Sequence, residues 1–125
     1  MLALGRALRL RCPVCGKASV MQGWFRAYAH CPNCRFRFNR SESGYEVGSL
    51  AVNTSLTLVL LTGAIVAAVA LTWPTPPWDA ISIGMVIAAL TVPVAIFPWS
   101  KTLYLALDVS FRPPAPSDFT APPPA

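Results

Sequence analysis

Polar and apolar positions are distributed very unevenly along the chain. No charged residue occurs from residue 47 to residue 72, and residues 50–71, LAVNTSLTLVLLTGAIVAAVAL, form a run long enough as a helix to cross about 30 Å of hydrocarbon. A second uncharged run, AISIGMVIAALTVPVAIFPW over residues 80–99, also reaches spanning length, with Pro93 expected to kink it and Pro98 near its end. Two such runs in 125 residues leave too little polar protein to cover them as soluble core helices. The pattern therefore predicts a membrane α-helical hairpin with transmembrane helices over 47–72 and 80–100. A rigid turn over 73–79, with three prolines and with Trp73 and Trp78 at headgroup level, joins them.

The flanks read differently. Residues 101–112 mix apolar positions with Lys101 and Asp108 and are expected to prolong the second helix into the interface. Residues 113–125 hold six of the 13 prolines and are expected to be a disordered, solvated tail. Pro113 and Pro116 fit a PxxP spacing there, but the composition favours the solvated tail over a polyproline ligand. The opening MLALGRALRLR is interrupted by Arg6 and Arg9, so it lacks the continuous apolar core of a secretory signal. It reads as a basic amphipathic arm, with Leu2, Leu4, Leu8 and Leu10 toward an apolar surface and the arginines toward anionic lipid headgroups.

Only 12% of residues are charged, and the net charge of +5 is a local feature. Eight of the ten basic residues (Arg6, Arg9, Arg11, Lys17, Arg26, Arg35, Arg37 and Arg40) precede the first span, and none lies in the turn between the spans. That asymmetry predicts both termini in the cytoplasm. Neither span carries Asp, Glu, Lys, Arg or His, so the usual marks of a proton relay or ion pathway are missing. Asn53 is the polar position suited to a hydrogen bond with another helix. Gly63 with Ala67, and Ala80 with Gly84 and Ala88, are small residues at a spacing that permits close helix packing.

All four cysteines fall within residues 1–46, as CxxC, fifteen residues, CxxC: Cys12, Cys15, Cys31 and Cys34. In a reducing compartment this pattern favours a metal site over disulfides. Two knuckles supply a closed tetrahedral set of thiolates, which leaves no open position for substrate. Around them a small β ribbon is expected. Residues 18–21 can make one strand, and RFRFNR over residues 35–40 alternates so that Phe36 and Phe38 face one way and Arg35 and Arg37 the other. So short a segment cannot stabilise itself by burial, and the ion should supply much of its folding free energy. His30 precedes Cys31 but is not needed by a closed set. Four thiolates suit Zn2+ and also a rubredoxin-like iron; Zn2+ is favoured because no partner redox group is evident. No base or acid accompanies the thiols, so the protein is expected not to be an enzyme. Nucleic acid is disfavoured as a partner, because a lipid-facing segment needs the same basic charge.

As a set, LRLRCPVCGKASVMQGWF, HCPNCRFRF, ESGYEVGSL, the two spans and FPWSKTLYLAL resemble a bacterial family catalogued as domain of unknown function 983. The resemblance implies a small protein of the bacterial inner (plasma) membrane with a cytoplasmic zinc ribbon and two helices. It also implies Cys12, Cys15, Cys31 and Cys34 as metal ligands, and no catalytic residues. Some relatives are encoded beside respiratory haem-copper oxidase genes, which implies a docking or assembly role toward a membrane-protein partner. The alternatives are a membrane-tethered one-electron carrier and a membrane-anchored nucleic-acid binder. One departure stands out. Gly16 follows the first knuckle, whereas Arg35 occupies the position after the second, where a left-handed backbone would cost arginine roughly 1 kcal/mol.

Overall fold

A computed structural model of the chain describes residues 2–40 and 44–120. Its elements are a short helix α1 (Leu2–Leu8) and two long helices, α2 (Gly44–Thr72) and α3 (Trp78–Phe111). At 1.5 Å per residue, the 29 residues of α2 and the 34 of α3 extend about 44 and 51 Å. Both are long and apolar enough to cross a membrane, and none of their most apolar stretch is buried against protein. Core helices of a soluble protein would be covered; these present Leu58, Val59, Val66, Ile83, Val86 and Leu90 outward, each more than 60% exposed.

The two helices run antiparallel and are locked at the end that carries the charges. Ser100 Oγ donates to Asn53 Oδ1 at 2.9 Å, and Lys101 Nζ lies 3.3 Å from Glu46 Oε1. The Lys101 ammonium is nearly buried and sits over the rings of Phe97 and Tyr45, at 5.1 and 5.7 Å. Tyr104 stacks edge-on to Tyr45 and donates to the Gly44 carbonyl at 3.3 Å. Its ring occupies the space that a Cβ at Gly48 would need, so this close approach requires glycine. Asn53 thus finds its partner within the same chain. Gly63 and Gly84 face open space and take no part in the contact. The hydroxyls of Thr57, Thr72 and Thr91 donate to carbonyls four residues earlier, which satisfies them without a partner helix.

Helix α3 continues unbroken through Pro93 and Pro98 to Phe111, so residues 101–111 belong to the same helix as the apolar run. The part beyond Lys101 is a platform for the cysteine segment. Leu105 is fully buried and joins Cys12, Val20, Cys31, Phe36 and Phe38 in one core, with Val109 beside it. Phe36 and Phe38 turn inward while Arg35 and Arg37 stay exposed, as the alternation predicts.

The β ribbon itself does not form as expected. Among the described residues, extended segments meet only as single bridges: Arg11 with Ser19, Met21 with Ala27, His30 with Arg37, and Phe36 with Phe119. The knuckles and tight turns interrupt each pairing after one residue pair, so no continuous ladder of strands develops. The last bridge involves the C-terminal segment. Residues 116–118 form a 3-10 turn, and Phe119 and Thr120 lie along the second knuckle. Residues 113–117 are exposed to solvent, whereas residues 118–120 pack on the knuckle instead of continuing as a solvated tail. The remainder of that tail, residues 121–125, lies outside the described residues, as do Met1 of the arm and residues 41–43.

Candidate metal centre

The two knuckles are built alike. In the first, Gly16 N–H donates to the Cys12 carbonyl at 2.8 Å, and Cys12 N–H to the Ala18 carbonyl at 2.8 Å. In the second, Arg35 N–H donates to the Cys31 carbonyl at 2.9 Å, and Cys31 N–H to the Phe36 carbonyl at 2.9 Å. Each turn closes through a left-handed residue, Gly16 at φ 69° and Arg35 at φ 59°. Arg35 thus adopts the conformation for which glycine is the inexpensive choice.

This folding gathers the four Sγ atoms within 4.8 Å of one another. Across the knuckles, Cys12 and Cys34 approach to 3.9 Å and Cys15 and Cys31 to 3.6 Å. Four sulfurs around a tetrahedral ion at about 2.3 Å would stand about 3.8 Å apart, so the observed spacings fit such an ion. All four cysteines are free of disulfides. Cys12 and Cys31 are buried, and Cys15 and Cys34 are half-buried. His30 is not in the cluster; its backbone pairs with Arg37.

Backbone N–H groups reach the sulfurs of Cys12, Cys15 and Cys34. Burial pushes the Cys12 thiol far above the ordinary range, against the pull of the Val14 and Cys15 amides. Burial also drives Cys34 up to about 11, and its hydrogen bonds with Cys31 and Cys15 add to the rise. For Cys15 burial again raises the value. The amides of Lys17 and Ala18 and the Cys31 and Cys34 thiols outweigh it, lowering Cys15 to about 6. Cys15 thus gives up its proton more readily than Cys12 and Cys34, from which a bound cation must displace it.

Three elements brace the knuckles from outside. From α1, the Arg6 guanidinium donates to the carbonyls of Pro13 and Val14 at 3.1 and 2.9 Å and lies where a Cβ on Gly16 would go. Arg6 is thus spent on the first knuckle, whereas the arm read as sequence turns its arginines toward headgroups. From the C-terminal segment, Thr120 donates to the Arg35 carbonyl through N–H at 3.2 Å and Oγ1 at 3.1 Å. Phe119 packs on Phe36 at 5.6 Å, and Arg37 N–H donates to the Asp118 carbonyl at 2.8 Å. From the end of α3, Arg112 offers its carbonyl to Arg40 Nη1 at 2.8 Å.

Arg40 is the junction that sequence reasoning missed. It also pairs with Asp108 at 3.4 Å and Asp118 at 3.1 Å and lies 4.9 Å above the Phe36 ring. A cation at the C-terminal end of a long helix is favoured by the helix dipole. Two acidic residues downstream, Asp108 and Asp118, were the available signal in a chain with only five.

The fold and the cluster define a class: a chain with two helices fit to span a membrane and a four-cysteine, metal-capable module fastened to the end of one of them. The chain belongs to the family described as protein of unknown function (DUF983), which matches residues 21–109. The match takes in Cys31, Cys34 and both long helices as far as Val109. Cys12 and Cys15 precede it and are joined to the site by geometry. No curated protein and no solved structure matches the chain.

Proposed function

We propose that the protein is a non-enzymatic membrane protein whose four cysteines hold one structural Zn2+, and whose metal-folded module is a docking face for a membrane-protein partner. The observation that carries the reading is the shared core. The buried ligands Cys12 and Cys31 pack against Leu105 of α3, so an ion that folds the module also fixes its position on the membrane helix. Four thiolates complete a tetrahedral zinc, leaving it no position for substrate and making its contribution one of folding. The eight basic residues of the N-terminal segment support a cytoplasmic side for the module and for both termini at a bacterial inner membrane. The outward small residues Gly63 and Gly84, unused between α2 and α3, are available to a partner helix.

The purified protein should be colourless and carry about one zinc per chain. Chelation should release amide protection throughout residues 11–38 while the two long helices keep theirs. A red centre bleached by reduction would instead establish an iron site and an electron carrier. A periplasm-only reporter fused after Arg112 should stay silent, and activity there would overturn the orientation.

A further inference from the structure

We propose that the hairpin over residues 22–26 is an interfacial anchor, inserted at the headgroup–acyl boundary of the leaflet on the module's side. The proposal rests on the reading of α2 and α3 as membrane spans. The hairpin closes through Gln22 and Gly23 N–H on the Arg26 carbonyl, at 2.8 and 3.3 Å, above the Met21–Ala27 bridge. At its tip Trp24 and Phe25 remain 50% and 59% exposed. Their covered sides rest on α3, with Trp24 edge-on to Trp99 at 6.0 Å and Phe25 on Phe97 at 5.4 Å.

The depth of the tip is set by a hydrogen bond. Trp24 Nε1–H donates to the Val94 carbonyl at 2.8 Å. That carbonyl is free because its helical donor would be residue 98, a proline without an N–H. Val94 lies seven residues inside Lys101, the first charge after the apolar run, which is about 10 Å along the helix axis. Interfacial elements bury their apolar faces by roughly 5–10 Å. The free faces of Trp24 and Phe25 thus continue the lipid-facing surface of α3, and exposed Arg26 can extend toward phosphate, the division that an interface favours.

The test is depth-resolved quenching in phosphatidylcholine vesicles brominated at shallow or deep acyl positions. One variant keeps only Trp24 (Trp73→Phe, Trp78→Phe, Trp99→Phe), and another keeps only Trp78. Trp24 should be quenched several-fold more by shallow than by deep bromines and be shielded from aqueous iodide. Quenching of Trp78 but not Trp24, with Trp24 open to iodide, would overturn the anchor and leave the spans standing. Loss of both signals would overturn the spans too. Because the Trp99 substitution removes a contact, 5-fluorotryptophan in the unsubstituted protein provides a second reading. The Trp24 resonance, assigned by its loss in Trp24→Phe, should broaden with a headgroup-proximal lipid spin label, and a sharp resonance would contradict the anchor.

Discussion

Leu105→Ala tests whether the metal module is completed by the membrane helix. Leu105 has no exposed surface and fills the space between the buried Cys12 and Cys31 and the rings of Phe36 and Phe38. Leucine-to-alanine changes in cores cost about 2–5 kcal/mol, and more where neighbours cannot collapse into the gap. Collapse is restricted here, since α3 is held by its contacts with α2 and the opposite wall is held by the knuckles. A loss of about 3–4 kcal/mol is expected. Because metal binding and folding of so small a module are one equilibrium, the loss appears in zinc affinity, about tenfold per 1.4 kcal/mol. Competition with a chromophoric chelator should therefore show zinc held on the order of 10²–10³-fold more weakly, with helical circular dichroism nearly unchanged. Leu90→Ala, on the same helix but 71% exposed, should leave affinity within about threefold. If Leu105→Ala also stays within that range, the module closes its core without α3 and the argument for a positioned docking face fails.

Three further expectations follow from the knuckles and their braces. Gly16→Ala should weaken zinc binding roughly tenfold, since its φ of 69° is unfavourable to a side chain and the new Cβ would meet Arg6 Nε at 2.8 Å. Arg35→Gly should slow zinc loss a few-fold by relieving about 0.5–1 kcal/mol of backbone cost; a faster loss would show that the arginine side chain outweighs its conformation. Deleting residues 113–125 removes Asp118 from Arg40, Phe119 from Phe36 and Thr120 from the Arg35 carbonyl. Zinc should then be held roughly 5–30-fold more weakly, and an unchanged affinity would show that the segment is not a brace. Finally, the raised values of Cys12 and Cys34 mean that protons compete with the metal, so affinity should fall as pH falls. Near neutral pH at least two protons should leave per zinc bound, about a hundredfold in affinity per pH unit, measurable by calorimetry in buffers of different ionisation enthalpy. Release of fewer than two would contradict the stated thiol order.

The long helices were legible because a charge-free run of spanning length has few other uses, and the cysteine cluster because two CxxC pairs converge at one spacing. The attachments between them were not. Leu105 lies in LYLAL and looks like any lipid-facing leucine, since its burial depends on a segment some seventy residues away. The Trp24 contact depends on a carbonyl left free by Pro98, a vacancy visible only once the helix is known to continue through the proline. Arg40 read as one charge among eight, and its role emerges when Asp108, Asp118 and the end of α3 meet around it. Proline content suggested a solvated tail, yet the chain leaves the 3-10 turn at Asp118 in extended form, and Phe119 uses that backbone against the knuckle. The alternation in RFRF correctly oriented its side chains, but side-chain period does not guarantee a ladder partner.

Whether one ion, held by four thiolates, folds this module onto α3 can be read from zinc-edge X-ray absorption fine structure on the purified full chain. The expected result is about one zinc per chain with a first shell of four sulfurs at about 2.3 Å and no nitrogen. A mixed shell with a histidine nitrogen, iron in place of zinc, or oxidised cysteines without metal would each contradict the account.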